Sequence, residues 1–235
     1  DDQMDPAFLM PLITPIVQGQ ADYTKGNRFL HLRQLKAMPL ARRVGNLGLS
    51  FLTKLASGLW NVFDPTNGYT AIHAGLIPLL DDAVIDRRFF YESSLLLELG
   101  LLRAVVRDVY LPARYATETS NLSEWKSMYA FPLRLLKGFA RRVWIQYFLR
   151  DFGLFSVFLI NGLLLFLFGV VFGAYHWWRG LQSNIATPTG NVMLAVLPII
   201  LGVQFLLQAV VLDVQNIPTL PIHPRVTAPT EIASR

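Results

Sequence analysis

The side chains able to do chemistry in this sequence are carboxylates, amides and arginines. There are no cysteines, which excludes disulfides, thiolate metal sites and cysteine nucleophiles. The histidines His31, His73, His176 and His223 are scattered along the chain, an arrangement that argues against a histidine metal cluster. His73 reads as an ordinary packing or surface residue. Asp1 and Gln3 stand two apart and can offer oxygens from one turn, hard ligands of the kind that suit Mg2+ or Mn2+. A solvated acidic terminus is the other reading of them. Asp64 opens Asp64-Pro65-Thr66-Asn67-Gly68, a turn by composition; it either works on a ligand or holds its own backbone in an Asx-turn. Glu92 is either near such a ligand or a helix-surface residue. Arg28, Arg42 and Arg114 carry planar forks that bind phosphate in a bidentate way, with surface salt bridges as the alternative. Asn46 can add a hydrogen bond through its amide.

The elements that must position these groups alternate between strand and helix. The run from Ala21 to Phe29 reads as a short strand ending in a turn at Gly26-Asn27. Leu49, Leu52, Leu55, Ala56 and Leu59 recur at helical spacing, so 45–60 is expected to be a helix. Residues 89–99 have the pattern of an amphipathic helix, 104–109 is a β-branched run before a proline, and 9–17 is an apolar helix or strand-edge segment. Residues 122–149 interleave Trp125, Phe131, Phe139, Trp144, Tyr147 and Phe148 with arginines and lysines, as a helix lying in a membrane interface does. This alternation points to an α/β fold with a partly parallel sheet.

Composition places the remainder of the chain in a membrane. Of 235 residues, 53% are hydrophobic and 16% charged, against roughly 25% charged in soluble domains. The stretch 152–178 contains no Asp, Glu, Lys or Arg, and 191–212 is a second apolar run containing Pro198. Each is long enough to cross a hydrocarbon core, which takes about 20 residues of helix. The short polar connector between them makes the pair a hairpin. Gly169 and Gly173 can admit a neighbouring helix. Gln204 and Gln208 share one face, which points to the partner helix or the protein interior, with a subunit contact as the alternative. The net charge of +5 is concentrated in Arg134, Lys137, Arg141, Arg142 and Arg150 just before the first run. That placement fits anionic lipid headgroups rather than nucleic acid, and marks the side of both hairpin ends as cytoplasmic. The expected layout is a catalytic portion over 1–133, a basic juxtamembrane helix over 134–150, the hairpin over 151–213 and a Pro-rich tail over 214–235, extended or disordered.

Five segments in order resemble the family-2 polyprenyl-phosphate glycosyltransferases, a GT-A group that includes dolichol-phosphate mannose synthase. Asp1-Asp2-Gln3-Met4-Asp5-Pro6 is similar to the end of the family's Asp-x-Asp-x-Gln-x-x-Pro motif. Gly26-Asn27-Arg28-Phe29 is similar to its Gly-Ser-Arg-Tyr turn, and Asp64 to Tyr69 to its Asp-x-x-Ser-Gly-Phe turn. Phe89-Phe90-Tyr91-Glu92 and the stretch 109–122 also fit, and the membrane hairpin follows where bacterial members carry one. The resemblance implies an inverting transfer of a sugar from a nucleotide-sugar donor to an undecaprenyl or dolichyl phosphate at the inner face of the cell membrane. It implies Asp1 and Gln3 as ligands of Mg2+ or Mn2+, Arg28, Arg42, Asn46 and Arg114 at the acceptor phosphate, and Asp64 and Glu92 as catalytic carboxylates. The spacing around Arg114 is one residue longer than in the mannose synthase, and Asn46 stands where the family has serine.

The resemblance further implies that roughly a hundred residues, about half of an ordinary domain, precede residue 1, and that without them this stretch is inactive. The same reading allows a homo-oligomer through the transmembrane helices. Two other functions fit the same residues: a family-2 transferase with a hydroxyl acceptor, and a non-catalytic membrane scaffold. A Gln-x-x-Arg-Trp sequence, the mark of processive synthases, is not found in the chain.

Overall fold

A computed structural model describes residues 5–27, 40–65, 67–87, 90–111 and 124–224, with the side chains of 40–43 and 124–130 outside that set. The chain forms two compact units, one of Asp1–Val143 with Ile217–Arg235 and the other of Trp144–Asn216.

The first unit is mixed α/β. A 3-10 turn at Pro6–Phe8, capped by the Asp5 carboxylate on Ala7 N at 3.0 Å, leads into α1 (Leu9–Val17). The sheet follows from β1 (Tyr23–Asn27), β2 (Thr70–Ile72) and β3 (Val106–Tyr110), in the order β2-β1-β3. Central β1 pairs antiparallel with β2, Tyr23 opposite Ile72, and parallel with β3, Tyr23 opposite Val106 and Asn27 opposite Tyr110. A parallel neighbour needs a long crossover, and α2 (Leu40–Ser57) and α3 (Tyr91–Leu102) lie within it. Tyr23, Leu59, Val62, Leu76, Leu95, Leu96, Leu99 and Val106 form the core under the sheet. The sequence expectations for β1, α2, α3 and β3 agree with this to within a few residues, apart from the start of α2, and the 9–17 segment is a helix despite Pro15.

The last helix of the unit is α4 (Glu124–Trp144). Of the basic residues assigned to lipid headgroups, Arg142 is 2% exposed. It donates to Ala56 O at 3.0 Å and Leu55 O at 2.9 Å, which places a cation at the negative C-terminal end of α2. Arg141 pairs with Glu98, and Arg134 with Asp86 at 2.5 Å. Arg134, Lys137 and Arg150 of that set are exposed.

The tail, expected to be extended or disordered, is tied to the first unit as far as residue 224. Ile222 packs against the core. The Asp22 carboxylate, fully buried, accepts from Ile222 N at 2.9 Å, His223 N at 2.9 Å and Val105 N at 2.8 Å, and faces His223 Nδ1 at 2.8 Å. The His223 ring stacks on His73 with centroids 4.2 Å apart, so two of the scattered histidines meet.

The second unit is a pair of helices, α5 (Leu154–Ser183) and α6 (Thr189–Gln215), both long and apolar enough to cross a membrane. They approach closely at small residues. A Cβ on Gly169 would stand 2.6 Å from Ala195 O, and one on Gly202 2.6 Å from Phe166 N. Gly169 and Gly173 therefore serve the hairpin's own partner. Gln204 and Gln208 are exposed on α6, contrary to the expectation that they face that partner, because Gly202 and Ala209 occupy the buried face. A π-helical turn at Ile145–Arg150 carries Tyr147, whose hydroxyl donates to the Asp213 carboxylate and whose carbonyl accepts from the Ser156 hydroxyl. Trp177 and Trp178 stand exposed toward the other end of α5, where indole rings favour an interface.

Candidate functional site

The C-terminal ends of the parallel strands gather the polar groups of the first unit. All five residues of β1 are buried, although three of its side chains are Thr24, Lys25 and Asn27. Side chains alternate along a strand, so Tyr23, Lys25 and Asn27 share a face. The register sets Lys25 opposite Asp108 on β3. Asn27 Nδ2 donates to Asp108 Oδ2 at 2.7 Å.

The loop after α2 is stitched along these strands. Asn61 Nδ2 donates to Val106 O at 2.6 Å, and Phe63 N to Asp108 Oδ2 at 2.9 Å. Asn67 Nδ2 donates to Gly26 O at 2.8 Å, and Gly26 N to Tyr69 O at 2.9 Å. The Lys25 ammonium donates to Asn67 O. Asn67 Oδ1 accepts from Tyr69 N at 3.0 Å, the Asx geometry that the turn composition suggested for Asp64 instead. A Cβ on Gly26 would fall 2.6 Å from Asn67 Nδ2, so the loop lies tight against the strand there.

Asp64 sits inside this loop and is fully buried. Its charge is felt at Asp108, where burial is the largest of several influences, and the two together push the Asp108 carboxyl above the ordinary carboxylate range. The Phe63 N–H, Asn27 and Lys25 oppose that rise. Lys54 lies 4.8 Å from the centroid of the Phe63 ring. Burial lowers its ammonium pKa, and Asp108 partly restores it. The inner face of α2 is polar. Asn46, half-buried, is followed at helical spacing by the buried Ser50, Thr53 and Ser57. Ser50 donates to Phe63 O at 2.6 Å. Thr53 Oγ1 and Asp108 Oδ1 are buried with no hydrogen-bond partner among the described residues. The opposite face of α2 exposes Val44, Leu47 and Phe51.

Glu92 is half-buried in the first turn of α3 and makes no hydrogen bond or ion pair among the described residues. Its charge reaches Tyr23, whose hydroxyl is pushed well above its ordinary range, chiefly by burial. Asp64 thus lies within electrostatic reach of Asp108, and Glu92 of Tyr23. Arg42 lies in α2 with its side chain outside the described residues, and Asp1, Gln3, Arg28 and Arg114 lie outside them altogether. Among the described residues no group of three or more histidine, cysteine or acidic side chains could hold a metal ion. Asp1 and Gln3, the expected ligands of Mg2+ or Mn2+, are not among those residues. What the cluster can do is hold a buried carboxyl, Asp64, within electrostatic reach of Asp108 near the strand ends, where ligands of open α/β sheets bind.

Sequence reasoning missed Lys25 and Asp108. The usable signal was an ionisable residue at the centre of each of two short strands, where burial leaves a charge only if it is paired.

Comparison with known proteins adds the following. No protein-family profile matches the chain. It is 28% identical over 134 residues to a UDP-N-acetylglucosamine–dolichyl-phosphate N-acetylglucosaminyltransferase of Methanococcus voltae, covering 55% of this chain and 53% of that enzyme. It is 25% identical over 134 residues to an uncharacterised protein of Methanocaldococcus jannaschii, covering 55% of each. The chain thus spans about half the length of the curated relatives it matches.

Proposed function

We propose that the whole protein is a membrane-bound glycosyltransferase of GT-A type and family 2. It moves a sugar from a nucleotide-sugar donor to a polyprenyl phosphate, with inversion at the anomeric carbon. The observation that carries this reading is the likeness to the Methanococcus voltae enzyme, whose name gives a UDP-sugar donor and a dolichyl-phosphate acceptor. The buried Asp64 cluster at the strand ends and the two long apolar helices are consistent with it.

In this reading a phosphate oxygen of the lipid bonds to the anomeric carbon as the bond from that carbon to the nucleotide diphosphate breaks. The attacking oxygen is already ionised near neutral pH, so alignment carries more of the rate than proton removal. Arg28, Arg42 and Arg114, with the Asn46 amide, hold the lipid phosphate, because a guanidinium matches two of its oxygens at once. Asp64 and Glu92 are the site carboxylates. A divalent cation, Mg2+ or Mn2+ on Asp1 and Gln3, supplies charge neutralisation to the departing diphosphate when bound. The hairpin crosses the inner membrane twice, the first unit faces the cytoplasm, and Gln204 and Gln208 are available for a homo-oligomer contact.

The test is the full-length protein in detergent, given polyprenyl phosphate, a panel of nucleotide sugars and either Mg2+ or a chelator. Metal-dependent appearance of a lipid-linked sugar is expected. Equal transfer to acceptors that bear a hydroxyl and no phosphate would favour the hydroxyl-acceptor reading and sink this one. Arg28→Ala and Arg42→Ala are expected to weaken use of the lipid phosphate more than hydrolysis of the donor, and equal loss of both would remove the arginines from their assigned role.

A further inference from the structure

Asp108 binds two parts of the site through one oxygen. Its Oδ2 accepts from Asn27 at the end of β1 at 2.7 Å and from the backbone N–H of Phe63 at 2.9 Å. Phe63 directly precedes Asp64, and its carbonyl is held in turn by the Ser50 hydroxyl at 2.6 Å. The backbone leading into Asp64 is thus gripped from both sides, by β3 and by α2.

We infer that Asp108 is a positioning residue for Asp64: its carboxylate oxygen ties the chain entering Asp64 to the end of β1 and so fixes where that buried carboxyl stands. The inference rests on the reading of Asp64 as a site carboxylate.

The arrangement costs the fold something. Burial is the largest cause holding the Asp108 carboxyl above the ordinary carboxylate range, with Asp64 adding to it and the Phe63 N–H, Asn27 and Lys25 opposing. A carboxyl raised in the folded state contributes stability that is fully present below its unfolded pKa and is lost as pH rises through the folded value. At neutral pH a neutral side chain of the same shape would therefore be cheaper here. An ionisable group kept at a cost in the interior is characteristic of functional sites. The second oxygen, Oδ1, is buried without a hydrogen-bond partner among the described residues. Asparagine can therefore keep its acceptor oxygen at the two donors and set its amide where Oδ1 now stands. Alanine loses the clamp altogether.

The experiment uses the full-length protein, varying polyprenyl phosphate at saturating nucleotide sugar and the reverse. Asp108→Ala is expected to lower kcat roughly tenfold or more, since a misplacement of about 1 Å can cost up to about a hundredfold. The donor KM stays within about twofold of wild type. Asp108→Asn is expected to restore kcat to within about threefold of wild type, with a melting temperature no lower than wild type at neutral pH. In an Asp64→Glu background, where the carboxyl is already displaced, Asp108→Ala is expected to cost less than about twofold more, because it acts through Asp64.

Three results overturn the inference: the same fold-loss in both backgrounds, an Asn variant as slow as the Ala variant, or a wild-type kcat in Asp108→Ala. Should Asp108→Ala fail to fold, Ser50→Ala releases the opposite grip on Phe63. A kcat loss of roughly threefold that vanishes in the Asp64→Glu background supports the inference, and an equal loss in both, or none, overturns it. A wild-type protein that moves no sugar to polyprenyl phosphate overturns the functional reading and this inference together. An active wild type with additive variants overturns the inference alone.

Discussion

Asp22→Ala is expected to destabilise the first unit by about 4 kcal/mol, within the roughly 3–5 kcal/mol typical of removing one partner from a buried polar cluster. It is also expected to detach the chain around residue 222. The carboxylate is fully buried and is the shared acceptor for the N–H groups of Val105, Ile222 and His223, with His223 Nδ1 at 2.8 Å. Hydrogen bonds to a charged acceptor are worth about 1.5–3 kcal/mol each. Alanine takes away all of them at once. The tail amides can recover by rehydrating, leaving the Ile222 contact with the core and the His223 ring on His73. Val105 cannot, because it is buried beside β1. Hydrogen exchange reads the two consequences separately: the Ile222 and His223 amides should lose protection outright, and the Val105 amide should fall with the global stability. Asp22→Asn, keeping one acceptor oxygen, should lie about halfway. Unchanged protection at Ile222 in the alanine variant would show that the tail is held by something other than this carboxylate.

Gly100→Ala is the second substitution with a large expected effect, about 3 kcal/mol of destabilisation. Glycine to alanine inside a helix normally stabilises, by roughly 0.5–1 kcal/mol. Gly100 lies in α3, where the added Cβ would stand 1.9 Å from the Ser57 carbonyl oxygen and 2.9 Å from its carbon. A backbone carbonyl at a helix end has no rotamer to escape into, so α2 and α3 must separate, and overpacked cores lose about 1–3 kcal/mol or more. The control is internal. Gly45 and Gly48 lie in α2, where a Cβ meets nothing within 4 Å. Gly45→Ala and Gly48→Ala should raise the melting temperature while Gly100→Ala lowers it. The same sign at all three positions would mean that the close approach of α2 and α3 is not as drawn.

Periodicity located most of the elements because their burial is one-sided or complete. The two apolar helices, α3 and the two parallel strands all follow from hydrophobic pattern and length. What the pattern hid is long-range and polar. In α2 Leu49, Leu52 and Leu55 mark a half-buried stripe, yet Ser50, Thr53 and Ser57 are buried while Val44 and Phe51 are exposed. A reading by hydrophobicity alone therefore places the helix with half its inner face missing. β2 is three residues long and pairs only because β1 lies beside it. The meeting of His73 with His223, of Asp22 with the tail, and of Lys25 with Asp108 depends on sheet register, which no local window contains. Asp64 and Asn46 were legible as site candidates from the turn and from the resemblance. Asp108 was not, since one aspartate within a strand looks like an exposed edge residue until its partner strand is known.

The grip of Asp22 on His223 joins positions 201 apart in sequence, and that spacing has a bearing on how the polypeptide is made. A ribosome adding about 5–20 residues per second exposes Asp22 roughly 10–40 s before His223 emerges. Both apolar helices are synthesised in that interval. Through it the Asp22 carboxylate waits for the Ile222 and His223 amides, so this one tie of the first unit can close only after both apolar helices have been synthesised.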